Sequence, residues 1–333
     1  MDTPIRLPLR QRSRRLMLAC PDPAGQELAA LAHWHQQGLE LWRSQTGEPP
    51  PPDCENARFS WLSVKLELAL RLLTQCNYCV HDCRVNRLAG ETGYCGLDGR
   101  PWISGSYLHC GEEAPLNPTW AVFFSGCTMH CTYCHNWRET FDLSAGSALD
   151  PAELATRLLA EKGRYRTLSL IGGTPEPQLH AVLALAAALD DAVDVPLVFN
   201  NNATLSRIGL ELMEGVVDIY LPDFKHGNDT CAWKLTKIGA YLESIRANLR
   251  AYLDQGTGLL VRHLVVPGHL ECCTRPVLDT LAAEFPGVAV NIMFQYRPMY
   301  QAATKAGLDR TLTPAEKHQV AGWVKELELR QVE

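Results

Sequence analysis

The sequence predicts an α/β protein built on a parallel sheet, and three observations carry that prediction. Six apolar, β-rich segments recur from about Trp120 onward, at Trp120–Ser125, Thr167–Ile171, Val195–Phe199, Val216–Leu221, Leu259–Val266 and Val288–Phe294. Helical patterns lie between them. Strands alternating with helices pair in parallel through right-handed crossovers. The chain, 333 residues of which 46% are hydrophobic, can bury the core of one large α/β domain with an appendage, or of two ordinary domains. Periodicity admits both a doubly wound open sheet and a six-unit partial barrel.

Taken in order, residues 1–75 read as a helical extension. A basic stretch, Arg10–Arg15, reads as a solvated tail. Helical patterns follow at Gln26–Arg43 and Trp61–Leu73, separated by Pro49–Pro52, a run that cannot continue a helix and marks a linker. Residues 76–110 form a small module, dense in Cys, Gly and Asn as far as Cys95 and lacking a clear hydrophobic period. Residues 111–333 carry the strand–helix alternation. Asp150-Pro151-Ala152-Glu153 combines an N-cap, a first-turn proline and a capping-box acid before Leu154, Leu158 and Leu159, with Gly163 as the stop. Thr313-Pro314-Ala315-Glu316 repeats that signal before Val320, Trp323, Val324 and Leu327.

A net charge of −6 argues against a protein that grips nucleic acid through phosphate neutralisation. No apolar run approaches the length needed to cross a bilayer. Leu16–Ala19 is too short for the apolar region of a signal peptide. A cytoplasmic location is therefore expected, where thiols hold metals or do chemistry more often than they form disulfides. The thirteen cysteines, an odd number, fit that reading.

The sharpest constellation is Gly126-Cys127-Thr128-Met129-His130-Cys131-Thr132-Tyr133-Cys134. It follows the first strand, in a loop where α/β folds build active sites. Three soft thiolates at this spacing suit zinc or an iron–sulfur cluster. A four-iron cluster held by three cysteines keeps one iron without a protein ligand, free to bind substrate. Two other readings compete. Cys131-Thr132-Tyr133-Cys134-His135 matches a haem c attachment pattern, which normally needs export and leaves Cys127 idle. A structural zinc could use His130 or His135 as its fourth ligand.

These residues resemble the radical S-adenosylmethionine superfamily, and within it the proteins similar to pyruvate formate-lyase activating enzyme. The likeness runs from about Cys76 to the C-terminus. It includes Phe123-Phe124-Ser125-Gly126-Cys127, Asp218–Lys225, Arg262–Gly268 and Met293-Phe294-Gln295-Tyr296. The resemblance implies a partial parallel (β/α)6 barrel. It implies a 4Fe-4S cluster on Cys127, Cys131 and Cys134 that reductively cleaves S-adenosylmethionine to a 5′-deoxyadenosyl radical, which abstracts hydrogen from a substrate. Gly172-Gly173-Thr174 would receive the cofactor's amino group, and Tyr133 would lie near its adenine. Asn200 and Asn202 would hydrogen-bond the cofactor, although related activating enzymes carry aspartate where Asn200 stands and glycine where Ala203 stands. Asp223 and Lys225 match an Asp-x-Lys motif, with Lys225 pairing with the methionyl carboxylate. The chemistry implies a reductant such as flavodoxin or ferredoxin. The favoured substrate is a glycyl residue of a partner enzyme, with a small molecule or peptide as the alternative.

Cys76, Cys79, Cys83 and Cys95 form a second candidate site, for zinc or an auxiliary cluster, because the segment has too little apolar material to order itself otherwise. Cys110 is a further candidate ligand. Cys20, Cys54, Cys231, Cys272 and Cys273 read as free thiols. His263 reads as a satisfied core residue, and Gln295 carries little weight. Glu112 and Glu113 are either substrate-facing or solvated. A rival from another class is a zinc-stabilised adaptor without catalysis.

Overall fold

The computed structural model describes residues 7–44 and 58–332; the proline run and Cys54 lie outside the described residues. The N-terminal extension contains α1 (Leu9–Arg15), β1 (Met17–Leu18), α2 (Leu28–Ser44), β2 (Phe59–Ser60) and α3 (Trp61–Leu72). The sheet begins with β3 (Trp102–His109) and β4 (Thr119–Phe124). It continues through α4 (Trp137–Phe141), β5 (Ser147–Ala148), α5 (Pro151–Ala160), β6 (Thr167–Gly172), α6 (Leu179–Ala188), β7 (Leu197–Asn201), α7 (Arg207–Met213) and β8 (Ile219–Pro222). Then come α8 (Asp229–Thr236), α9 (Tyr241–Asp254), β9 (Gly258–Leu264), α10 (Arg275–Glu284), β10 (Ala289–Met293) and α11 (Pro314–Glu326).

The strand order, β10-β9-β8-β7-β6-β4-β3-β5, decides between the two architectures. All six expected strands pair in parallel with their sequence neighbours. Every crossover steps the same way, with no reversal of the kind that creates a doubly wound sheet. The result is a partial (β/α)6 barrel. The antiparallel β3 was not foreseen: Trp102–His109, inside the segment read as a cysteine module, pairs with β4, and β5 pairs with β3 at the open edge. Parallel register brings the carboxyl ends of the strands to one rim, where Phe124 stands opposite Gly172 and Asn200 opposite Leu221.

Helix boundaries follow their capping chemistry. Asp150 accepts hydrogen bonds from the backbone of Ala152 and Glu153 at 2.9 and 3.1 Å, starting α5. Thr313 and Glu316 form the reciprocal box at the start of α11. Helix α6 is apolar nearly all round, because it lies between the sheet and α3. Leu62, Leu68, Ala69 and Leu72 of α3 thereby join the main core. Lys65 of α3 is fully buried, and its ammonium satisfies the carbonyls of Glu211, Leu212 and Glu214 at the end of α7.

The basic N-terminal stretch is not a solvated tail. It forms α1, with Arg10, Gln11 and Ser13 buried. Arg10 donates to the carbonyls of Val193 and Val195, Gln11 to Asp191 and Ser13 to Gly215, all just before β7 or β8. These side chains plug the amino end of the barrel, where backbone carbonyls lack ladder partners. A polar plug of this kind leaves no hydropathy signal.

Candidate active site

The loop after β4 carries Cys127, Cys131 and Cys134 into a cavity of about 490 Å³ at the carboxyl rim. That volume suits one small-molecule ligand. The turn depends on Gly126, whose φ is +76° and whose side, if it bore a Cβ, would meet the Cys95 carbonyl at 2.9 Å. The Met129 amide and the Asn202 carboxamide each donate to the Cys127 sulfur at 3.3 Å. Burial pushes the Cys127 thiol up to about 12 and raises Cys131 and Cys134 as well. Buried thiols with so high a pKa become thiolates when a bound cation supplies the compensating charge, as iron does.

Gly172 and Gly173 line the same cavity. A Cβ at Gly172 would stand 2.2 Å from the Phe124 carbonyl oxygen, and one at Gly173 2.1 Å from that of Gly126. Only glycine lets the two loops touch. Thr174 points away from the cavity: its hydroxyl donates to Glu176 at 3.0 Å. Glu176, which sequence reasoning missed, ties three loops together. Its fully buried carboxylate accepts from the hydroxyls of Thr128, Thr174 and Thr204 and from the backbone amides of Asn202 and Thr204. Nothing in a Pro-Glu-Pro stretch signals such a role.

Asn200 and Asn202 both line the cavity, with Asn202 against Cys127 and Thr128. Asn201 also borders the cavity, and its carboxamide braces the loop by bonding Phe199, Ala203 and Tyr252. Asp223 and Lys225 enter from β8 and pair with each other. Burial works against the Lys225 charge, but the Asp223 carboxylate beside it outweighs that cost and holds the ammonium above the ordinary lysine range. Tyr133 borders the cavity, its hydroxyl 3.3 Å from His226 Nε2.

Glu112 and Glu113 prove to be neither solvated nor free. Both pair with Arg262 of β9, and Asn291 of β10 also donates to Glu113 at 2.8 Å. Burial opposes ionisation of Glu113, yet the bonds from Arg262 and Asn291 outweigh it and keep the carboxyl below its usual range. His263 is a core residue, bonded to Phe224 O and Thr274 Oγ1. Gln295 is exposed at the cavity mouth.

The upstream cysteines share one electrostatic neighbourhood: Cys79 senses Cys95 and Cys76, and Cys95 senses Cys76 and Cys83. Arg87, buried beside them, donates to the Cys76 sulfur at 3.6 Å and to Pro177 O at 2.6 Å. This segment packs directly on the cysteine loop. His81, Tyr94 and His130 stack in series at centroid distances of 3.8 and 4.2 Å, and His81 bonds Thr128 O. Cys110 is exposed and Cys20 buried. Cys231, Cys272 and Cys273 are not scattered: their sulfurs converge with His269 Nδ1.

Residues 121–281 match the model of the Radical SAM superfamily. An uncharacterised protein of Methanocaldococcus jannaschii, MJ0674, is 35% identical over 270 residues, covering 79% of this chain and 78% of that one. Among solved structures, Streptococcus suis SuiB bound to the precursor peptide SuiA gives a TM-score of 0.46 at 10% identity, covering 91% of this chain and 61% of SuiB. HydG, a maturase of the [FeFe]-hydrogenase, gives 0.43 at 8% identity, covering 95% and 63%. The chain spans less than two thirds of the length of either solved chain. No described helix is long and apolar enough to cross a membrane. The chain belongs to the radical S-adenosylmethionine superfamily, whose chemistry depends on a 4Fe-4S cluster and S-adenosylmethionine.

Proposed function

We propose that this radical S-adenosylmethionine enzyme abstracts hydrogen from a glycyl residue of a partner protein. Cys127, Cys131 and Cys134 hold the cluster, and Lys225 receives the cofactor's carboxylate. When bound, cluster and cofactor together supply a 5′-deoxyadenosyl radical, and an electron donor of the flavodoxin or ferredoxin type completes the requirement. The observation that carries the reading is the convergence of three thiols (Cys127 and Cys131 buried, Cys134 half-buried), a glycine turn and the Asp223–Lys225 pair on one cavity. Its size supports a presented polypeptide segment over an enclosed small molecule, since a nucleotide cofactor occupies much of about 490 Å³. Asn202 orients Cys127, Glu176 locks the three loops, and the Arg262–Glu113 pair forms a polar part of the cavity wall. In this reading the upstream quartet holds an auxiliary cluster, an anionic centre that the positive Arg87 beside it would balance.

The class is tested by anaerobic reconstitution with dithionite and S-adenosylmethionine. The expected product is 5′-deoxyadenosine, lost in Cys131→Ala together with about four irons while the upstream iron remains. The substrate is tested with protein extract from cells grown on α-deuterated glycine. Deuterium should enter 5′-deoxyadenosine, whereas substrate-stimulated product free of deuterium would exclude glycine as the donor.

A further inference from the structure

We propose that Cys231, His269, Cys272 and Cys273 form a closed tetrahedral zinc site, separate from both sites described above. The four ligand atoms all lie within 4.8 Å of one another, the only such group among the described residues. Cys231 Sγ is 3.8 Å from Cys272 Sγ and 3.7 Å from His269 Nδ1, and Cys272 Sγ is 3.3 Å from His269 Nδ1. Tetrahedral zinc with its usual bond lengths sets sulfurs about 3.8 Å apart and sulfur and nitrogen about 3.5 Å apart. The two sulfurs are not joined as a disulfide in this structure, since bonded sulfurs sit about 2.05 Å apart. Four protein donors, three of them soft thiols, suit a structural zinc and leave no open position.

The backbone supports this arrangement. Adjacent residues of an α-helix point about 100° apart, so a Cys-Cys pair rarely aims both sulfurs at one point. Here Leu270–Thr274 is a π-turn, in which the His269 carbonyl accepts from both Cys273 and Thr274. Such turns concentrate at functional sites. Across the gap, Asn228 caps α8 by accepting from the Cys231 amide at 2.8 Å and donates to Cys272 O at 2.6 Å. The two loops are thus joined beside the ligands. Exposed Cys272 provides the entry path.

The site ties the first turn of α8, which follows the loop carrying Lys225, to the segment after β9. Cys273 Sγ lies 3.8 Å from His226 Nδ1, whose other ring nitrogen faces Tyr133 at the cavity edge. The zinc therefore fixes the loop that positions Lys225. It requires neither the glycyl reading nor the upstream cluster.

Zinc and iron are measured by plasma mass spectrometry on full-length protein reconstituted anaerobically with iron and sulfide and supplied with zinc chloride. Wild type should hold about one zinc per chain beyond any zinc in the upstream quartet, read as the difference from the Cys272→Ser variant. Cys272→Ser and His269→Gln should each lose it, or bind zinc at least tenfold more weakly against a chromophoric chelator, with iron content unchanged. Cobalt in place of zinc should give tetrahedral thiolate bands that vanish in Cys272→Ser. Unchanged zinc in both variants overturns the proposal, as does a Cys231–Cys272 disulfide recovered by thiol mapping. Loss of iron together with zinc also overturns it, because the thiols then serve a cluster. Far-UV circular dichroism confirms folding, which substitution at exposed Cys272 should preserve.

Discussion

Replacing Glu176 tests whether one buried carboxylate holds the active-site loops together. In Glu176→Ala, the amides of Thr204 and Asn202 lose their acceptor in a dry environment. The three threonine hydroxyls can re-pair in part, since Thr204 and Thr128 already lie 2.8 Å apart. Two stranded backbone donors at about 1–3 kcal/mol each give a loss of about 2–6 kcal/mol. In Glu176→Gln, one carbonyl oxygen still serves Thr204 N, the amide can donate to a hydroxyl oxygen, and only Asn202 N is mispaired. The loss is then about 1–3 kcal/mol at most. Burial raises the Glu176 pKa despite its hydrogen bonds. The folded chain therefore holds a proton that the unfolded chain has released, and wild-type stability falls as pH rises from the ordinary glutamate range toward the raised value. Glu176→Gln removes that slope. The assay is the urea midpoint of the metal-free, reduced chain at several pH values, compared at constant m. An alanine variant within about 0.5 kcal/mol of wild type, or less damaged than the glutamine variant, would refute the reasoning.

Other substitutions separate binding from folding. Lys225→Met removes a charge-assisted bond worth about 1.5–3 kcal/mol, so S-adenosylmethionine should bind about 10- to 150-fold more weakly in equilibrium dialysis. An affinity within twofold of wild type would remove Lys225 from the site. Gly173→Ala places a methyl 2.1 Å from the Gly126 carbonyl oxygen and should force the loops apart, costing about 1–3 kcal/mol by denaturant unfolding. Cluster iron should fall with it. Arg10→Met strands the Val193 and Val195 carbonyls and should cost about 2–4 kcal/mol in thermal unfolding, with cofactor affinity unchanged.

The strand–helix alternation and the capping signals were legible because both rest on neighbours within a few residues. Asp150 caps α5 through its own side chain, Thr313 and Glu316 form the full expected box, and all six expected strands form with ends shifted by a few residues. The choice of a barrel over a doubly wound sheet was not legible, since pairing order joins segments whose patterns are alike.

The cysteine loop from Cys127 to Cys134 disclosed its chemistry in eight residues, because ligands on one tight turn keep their spacing however the chain folds. Folding decided what lies far apart in sequence. It brought Cys231 to Cys272 across 41 positions, seated Glu176 beneath three loops, paired Arg262 with two acids about 150 residues away and drove a basic segment into the barrel floor. Charge, amide and thiol contacts of that range have no period. They become visible only when the backbone has placed their partners within a few ångströms.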